Sequence, residues 1–298
     1  MESITSVGEI LFDIYPDKKI PGGAPFNFIY HIKKITVDGT FISRIGNDKN
    51  GKEILSFLML NNISTAFIQS DNEHPTGLAI ASLDENKIPH WEIKENSAYD
   101  FIEFSPMIET HLLNNSDCIY FGTLAQRGEV SANTLNKIFR MNKKFICDLN
   151  IRQNFYSKKI LKSSLKAANV LKLNVEELNL VNNLFYKQVS DENEAVNRII
   201  NDFEIEMVAV TNGEEGAEIY TSNSKNIMKV KTRNVVDTVG AGDAYTAVLC
   251  LGYLLKLHPE KINRIASEFA AFIVTQRGAL PANDSIYESL KESIYNDS

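Results

Sequence analysis

The sequence predicts an α/β fold with a mainly parallel sheet, helices on both faces and a small separate β-sheet. Two observations carry that prediction. Short apolar runs of strand length alternate with segments of helical period along most of the chain, which is the pattern of βαβ units. One stretch, residues 76–104, breaks the rhythm. Its apolar and polar residues alternate on either side of DENKIP, as in a hairpin.

ITSVGEI predicts the first strand, and FNFIYHIKKI, after the turn PGGAP, the first helix. GTFISRIG and GKEILSFLMLNN are the next strand and helix. DCIYFG pairs with the helix VSANTLNKIFRMN, KFICDLN with SKKILKSSLKAA, and VLKLN with VEELNLVNNLF. MVAVTNG adds a strand. FDIYPDKKIP is expected to pair with the 76–104 hairpin. The β-element so formed, from roughly 11–21 and 76–104, reads equally as a surface hairpin or as a lid over the crevice at the strand C-termini, where open α/β sheets bind ligands. All 298 residues are expected to form one domain with this discontinuous lid.

The chain is 44% apolar and 23% charged, the makeup of a globule with a sizeable core. A net charge of −7 argues against nucleic acid or an anionic membrane as the main partner, yet leaves room for a local basic pocket. Cys118, Cys147 and Cys250 are scattered in apolar runs and read as buried thiols in a reducing compartment. The five histidines form no H-x-x-x-H pair, so no transition-metal cluster is expected. MESITSVGEILFDIYP lacks the basic start and long apolar core of a signal peptide, and AVLCLGYLLKL is too short to span a bilayer. The expected location is the cytoplasm.

DTVGAGDAY, residues 237–245, carries the chemistry. Ala244, Ala247, Val248, Leu251, Leu254 and Leu255 recur at helical spacing, so a helix starts near Ala241–Asp243. Gly240 and Gly242 let backbone N–H groups approach a ligand, and the helix start favours an anion. A nucleotide P-loop would place a Lys after its last Gly, and here Asp243 stands instead. On its own, an Asp at a helix start is preferably a cap. The glycines equally suit a tight turn. Phosphoryl transfer offers Asp243 another role, as the base beside an anion-binding turn.

DTVGAGD resembles the second signature of the ribokinase-like (PfkB) carbohydrate kinases, and the whole chain is most similar to the fructokinases among them. The resemblance implies a ribokinase-like three-layer sandwich with a β-lid. It makes Asp243 the catalytic base and Gly240, Ala241 and Gly242 the anion hole. GEILFD and PGGAPFN resemble sugar-binding elements, implying Asp13, Gly22, Gly23 and Asn27 as sugar contacts. A plain turn with a solvated Asn27 would explain the second segment equally well. RIGNDKNGKEI resembles the first signature, and its Gly46, Asp48 and Gly51 are expected to be structural. FGTLAQR and CDLNIRQNF place Gln126, Asn150 and Arg152 along the substrate crevice, where an Arg suits phosphates. An ion pair of Arg152 with Asp148 is the plainer alternative.

KLNVEEL carries Asn174 and Glu177, which in the family organise phosphates and Mg2+, largely through water. The same spacing is a capping box, and both roles can hold together. VTNGEEGAEIY resembles the nucleotide loop, implying Thr211, Gly213 and Gly216, although a hairpin turn explains it as well. EFAAFIVTQRGALP resembles the segment flanking adenine, implying Gly278. A monovalent cation, K+ in the family, would meet Asp237, Val239, Ile273, Gln276 and Gly278. Phe26 replaces a residue that is often small in fructokinases, so the wall beside the sugar is expected to differ.

The resemblance implies an ATP-dependent, Mg2+-using sugar kinase acting on a primary hydroxyl, with fructose as substrate. Ribose, a nucleoside or 2-keto-3-deoxygluconate is the alternative acceptor. A sugar sensor without turnover is the alternative outside enzymes. Exposed lid strands suit a homodimer through the lid.

Overall fold

The computed structural model describes residues 3–36, 38–83, 89–187, 191–230 and 234–296. Seven strands run parallel in one sheet: β1 (Ile4–Val7), β4 (Thr40–Gly46), β5 (Ile68–Asp71), β8 (Cys118–Phe121), β9 (Lys144–Asp148), β10 (Val170–Asn174) and β11 (Met207–Thr211). The antiparallel β12 (Ala217–Thr221) and β13 (Lys225–Met228) extend one edge. The order is β13-β12-β11-β10-β9-β8-β1-β4-β5. The chain therefore builds outward from β1 in one direction and then returns to build from β8 in the other. That reversal makes a topological switch point between β1 and β8.

Side-chain alternation along these strands feeds two cores. Ile4, Cys118, Tyr120, Met207 and Ala209 face one core, while Val7, Ile119, Phe121, Val208 and Val210 face the other. The first core is covered by α1 (Ala24–Ile35), α2 (Lys49–Leu60), α8 (Ala241–Leu254), α9 (Pro259–Ile273) and α10 (Ser285–Tyr295). The second is covered by α3 (Pro106–Asn115), α4 (Glu129–Ile138), α5 (Lys158–Ala167), α6 (Val175–Tyr186) and α7 (Glu192–Phe203). Helix α8 is buried continuously from Asp243 to Gly252, so its apolar residues run all round it.

A second sheet has the order β3-β2-β6-β7, from β2 (Leu11–Ile14), β3 (Lys19–Gly22), β6 (Gly77–Leu83) and β7 (Pro89–Ile93). FDIYPDKKIP thus pairs with the later hairpin through β2 and β6, which are parallel. Residues 84–88, in the DENKIP turn, lie outside the described residues. Elements β5, α3, α7, β13 and α10 go beyond the sequence-based expectation. In α3 only Ile108 and Leu112 are buried while Met107 and Leu113 are exposed, which blurs its period. The three cysteines are buried and form no disulfide.

One expectation is corrected. Phe26 does not form a wall beside a sugar. It is fully buried, with its ring against Tyr30, Phe41 and Phe57 at centroid distances of 6.2, 6.2 and 6.0 Å. Gly46, Asp48 and Gly51 form a structural joint. Asp48 caps α2 through Gly51 N–H (2.8 Å) and accepts from the N–H (2.9 Å) and hydroxyl (2.8 Å) of Thr76. A Cβ on Gly51 would stand 2.0 Å from the Gly46 carbonyl oxygen. Burial pushes the Asp48 carboxyl up, but the Thr76 and Gly51 donors outweigh it and hold the group below its ordinary 3.8.

Replacing Asp48 with Ala leaves those donors without their acceptor. Urea denaturation is expected to show a loss of about 1–3 kcal/mol at pH 7. Because the folded pKa is depressed, that contribution is present above 3.8 and lost as pH falls through the folded value. The gap between the two proteins should therefore close in acid.

Candidate functional site

The C-terminal ends of β1, β8, β9, β10 and β11 all open on one side of the sheet, and α8 begins there. Gly240 precedes α8 with φ 81°, the left-handed region that glycine tolerates. A Cβ on Gly240 would also stand 2.2 Å from Ala279 Cβ, so this position fixes how closely the two loops pack. The first bond of the helix runs from Ala244 N–H to Gly240 C=O. Among the described residues, the N–H groups of Gly242 and Asp243 donate to no acceptor. An N-terminal turn with such donors suits an anion.

Asp243 is not a helix cap, because its side chain leaves the turn. Its Oδ2 accepts from Asn27 Nδ2 at 2.7 Å, joining α8 to α1. Both residues are buried, which excludes a solvated Asn27. The Asn27 Oδ1 is buried with no partner. Burial pushes the Asp243 carboxyl up to about 6 and Asp148 pushes the same way. The Asn27 hydrogen bond, Lys172 and Arg152 limit the rise. A carboxyl near 6 is ionised at neutral pH and still basic enough to take a proton.

Asp13 sits at β2, facing the same crevice. Gly22 pairs opposite Leu11, and a Cβ there would stand 2.2 Å from Asp13 Oδ2. Gly23 has φ 110° and starts α1, where a Cβ would stand 2.7 Å from the Glu9 carbonyl oxygen. Burial pushes Asp13 up to about 7, against the pull of Arg152. Arg152 is exposed, and its charge reaches Asp13, Glu9 and Asp243. Its ion pair with Asp148 is not formed. Asp148 is fully buried and pairs with Lys172 at 3.2 Å. Asn150 and Gln153 take φ values of 40° and 47°, and Gln153 accepts from Ile93 N–H on β7 at 3.1 Å. This loop thus reaches the small sheet.

Gln126 ties the end of β8 to α5. It is buried, and its amide nitrogen donates to the Gly122 carbonyl (3.0 Å) and to Ser164 Oγ on α5 (2.8 Å). Both amide protons are thereby engaged. Asn174 and Glu177 form the capping box of α6, with Glu177 N–H to Asn174 Oδ1 and Asn174 N–H to Glu177 Oε2, both at 2.8 Å. Glu177 Oε1 accepts from Ile151 N–H at 2.7 Å. Burial raises the Glu177 carboxyl, and Lys172 opposes the rise. Each oxygen keeps a lone pair, so this group fits a hydrated Mg2+ met through water rather than a directly ligated ion.

Thr211 pairs with Asn174 in the sheet register, beside the crevice. Gly213 and Gly216, with φ 49° and 102°, lie in the turn of the β11–β12 hairpin. A Cβ on Gly216 would stand 2.0 Å from the Met228 carbonyl oxygen, whereas Gly213 has open space. Gly278 donates its N–H to Asp237 Oδ2 at 3.0 Å, and Tyr15 OH lies 3.3 Å from the same oxygen. Asp237 Oδ1 accepts from Val239 N–H at 3.1 Å. Among the described residues, the carbonyls of Asp237, Val239, Gln276 and Gly278 accept no hydrogen bond, which fits a cation held by backbone oxygens. Ile273 fits less well, since its carbonyl accepts from Gln276 N–H at 2.8 Å. No three His, Cys, Asp or Glu side chains cluster as metal ligands among the described residues. No helix there is long and apolar enough to cross a membrane.

Sequence reasoning missed Glu9, Asp148, Thr246 and Lys172. Lys172 had a signal, a lone cation inside the apolar strand VLKLN. Asp148 and Glu9 had the weaker one of an acid at a strand end. Thr246 Oγ1, one turn into α8, lies 2.7 Å from the Gly242 carbonyl and 3.2 Å from Asp148 Oδ2.

A switch-point crevice, an anion turn and a buried carboxylate at its end describe an α/β phosphotransferase with an alcohol acceptor. The profile described as pfkB family carbohydrate kinase matches residues 1–286, and the chain belongs to that family. Its fold is the ribokinase-like three-layer sandwich with a small additional sheet. A nucleoside kinase from Methanocaldococcus jannaschii is 27% identical over 98% of this chain and 98% of its own. A fructokinase from Escherichia coli is 25% identical over 93% and 94%. The structure of a double-mutant fructokinase from Vibrio cholerae O395, in its fructose-, ADP- and potassium-ion-bound form, superposes with a TM-score of 0.76. It is 24% identical, covering 97% of this chain and 98% of that one.

Glu9 offers a test of the site's electrostatics. It is buried with Oε2 unpartnered. Burial pushes it up to about 8 from 4.5, with Asp243 adding to the rise. A raised folded pKa stabilises fully below 4.5, and that contribution is lost as pH rises through 8. Glu9→Gln should therefore gain stability relative to the wild type by about 2–3 kcal/mol between pH 6 and pH 9 in chemical denaturation.

Proposed function

We propose that the protein transfers the γ-phosphoryl group of ATP to a primary hydroxyl of fructose. The observation that carries this reading is Asp243, a buried carboxylate held by Asn27 beside N–H donors that have no acceptor among the described residues. Recurrent fructokinases among the relatives favour fructose. The nucleoside kinase at 27% identity keeps nucleosides as the second acceptor class.

In this reading Asp13 and the Gly22–Gly23 turn hold the sugar so that its hydroxyl meets Asp243. Asp243 Oδ takes the proton as the hydroxyl oxygen bonds to the γ-phosphorus and the bond to the ADP oxygen breaks. The N–H groups of residues 240–243 stabilise the charge that develops, as preorganised donors do best. Asn27 fixes the base, and alignment of the two reactants supplies much of the acceleration. Arg152 steers the anionic phosphates. Thr211, Asn174, the hairpin Gly213–Gly216 and Gly278 border the nucleotide. Bound Mg2+ would offset the charge of the phosphates, with Glu177 orienting its water shell. The carbonyls around Asp237 and Gly278 would hold K+. The β2-β3-β6-β7 sheet acts as a lid that excludes water.

An ATP-coupled assay over fructose, ribose, nucleosides and 2-keto-3-deoxygluconate is expected to give fructose the highest kcat/KM. A nucleoside at the top would replace the acceptor, and no turnover with any of them would contradict the reading. Asp243→Asn should lower kcat by about 10²–10⁴-fold in a protein of unchanged circular dichroism. Near-normal turnover in that folded variant would remove Asp243 from the base role.

A further inference from the structure

The anion turn raises an electrostatic problem. It ends in Asp243 where a P-loop would carry a lysine, and Asp148 and Glu177 lie close by. A polyphosphate brought there would meet carboxylates as well as N–H groups. Like charges at short range in a dry site oppose binding strongly.

We infer that Lys172, on β10, supplies this phosphate site with the positive charge that its glycine turn lacks. Three observations converge on it. First, Lys172 stands in a strand whose Val170, Leu171 and Leu173 are fully buried, and it is itself only 6% exposed. An ammonium so buried is costly unless it has partners. Second, its partners are incomplete. Lys172 Nζ has three donors, yet among the described residues its hydrogen-bond acceptor is Asp148 Oδ1 alone, at 3.2 Å. That distance is long for a charge-assisted bond. Third, the ammonium lies against the turn. A Cβ placed on Gly242 would stand 2.8 Å from Lys172 Nζ and 3.6 Å from its Cε, the two atoms it meets within 4 Å outside its own helical turn. The missing side chain of Gly242 is what admits the ammonium to the first turn of α8.

Asp148 and Thr246 then act as positioning residues for Lys172. Asp148 Oδ1 faces the ammonium, while its Oδ2 lies 3.2 Å from Thr246 Oγ1, which also meets the Gly242 carbonyl. The chain Lys172–Asp148–Thr246–Gly242 ties the cation to the turn it serves. A P-loop brings its lysine from the helix. Here the neighbouring strand brings it, which leaves the helix position free for the base. The charge of Lys172 also favours the ionised form of Asp243 and of Glu177.

This inference rests on the kinase reading, and its test separates the two. Calorimetry compares the affinity for Mg·AMP-PNP with that for ADP in the wild type, Asp148→Asn, Lys172→Arg, Gly242→Ala and the paired variant Lys172→Met/Asp148→Asn. The paired variant removes both charges, so no lone carboxylate is left buried. The wild-type preference for AMP-PNP is expected to fall by about tenfold or more in the paired variant, with ADP affinity changed less than about threefold and kcat lowered about 100-fold. Asp148→Asn keeps the ammonium and should keep most of the preference. Lys172→Arg should recover part of it. Gly242→Ala pushes against only the flexible end of Lys172, so it should displace the charge and lower the preference with little change in thermal midpoint. A folded paired variant, or a folded Gly242→Ala, with undiminished preference and kcat would overturn the inference and leave Lys172 as a neutralising partner of Asp148. A wild-type protein that binds neither nucleotide would overturn the kinase reading, and this inference with it.

Discussion

The hydrogen bond between Asn27 and Asp243 is the contact on which the rest of the site depends. It joins the first helix of the chain to the eighth, and it does so between two buried side chains. A carboxylate in that position is tolerable only because a donor meets it and cations lie within reach. The burial of α8 follows from the same requirement. A helix apolar on all sides is packed between the sheet and its neighbours, so its first turn cannot drift. The turn, the base and the crevice therefore keep a fixed geometry.

The loops around this turn are interlocked by close approach rather than by long contacts. Gly240 packs against Ala279, and Asp237 collects donors from Val239, Gly278 and Tyr15. Arg277 reaches Asp17, next to β2, at 2.8 Å. Tyr15 and Asp17 belong to the small sheet's turn, so the C-terminal loop and that sheet touch directly. Ile20 adds an apolar contact 3.3 Å from where a Gly278 Cβ would stand. A change in one of these segments is felt in the others.

Much of the fold was legible, because strand alternation and helical period are local. Each β-strand and helix predicted before residue 176 forms, as does the pairing of FDIYPDKKIP with the later hairpin. The glycine turn was legible as well, since its residue types are tied to backbone conformation. What stayed hidden depends on contacts between distant segments. The resemblance that placed Gln126 along the crevice gave no sign that Ser164, 38 residues on, accepts from its amide nitrogen. Phe26 was expected to alter the sugar wall because fructokinases often carry a small residue there, but it points from α1 into the core. Asp243 reads as a cap by position and as a base by resemblance, but neither reading gives its partner, Asn27, 216 residues away. Lys172 was overlooked because a lysine in a short segment suggests a surface, and only the burial of its strand shows otherwise.

The most direct measurement of the central claim is the titration of the Asp243 carboxyl by carbon-13 NMR in labelled protein, assigned by difference with Asp243→Asn. The account predicts a midpoint near 6, where a buried carboxylate steadied by Asn27 and nearby cations would titrate. A midpoint at the ordinary 3.8 would mean that the group is solvated, and would contradict the account.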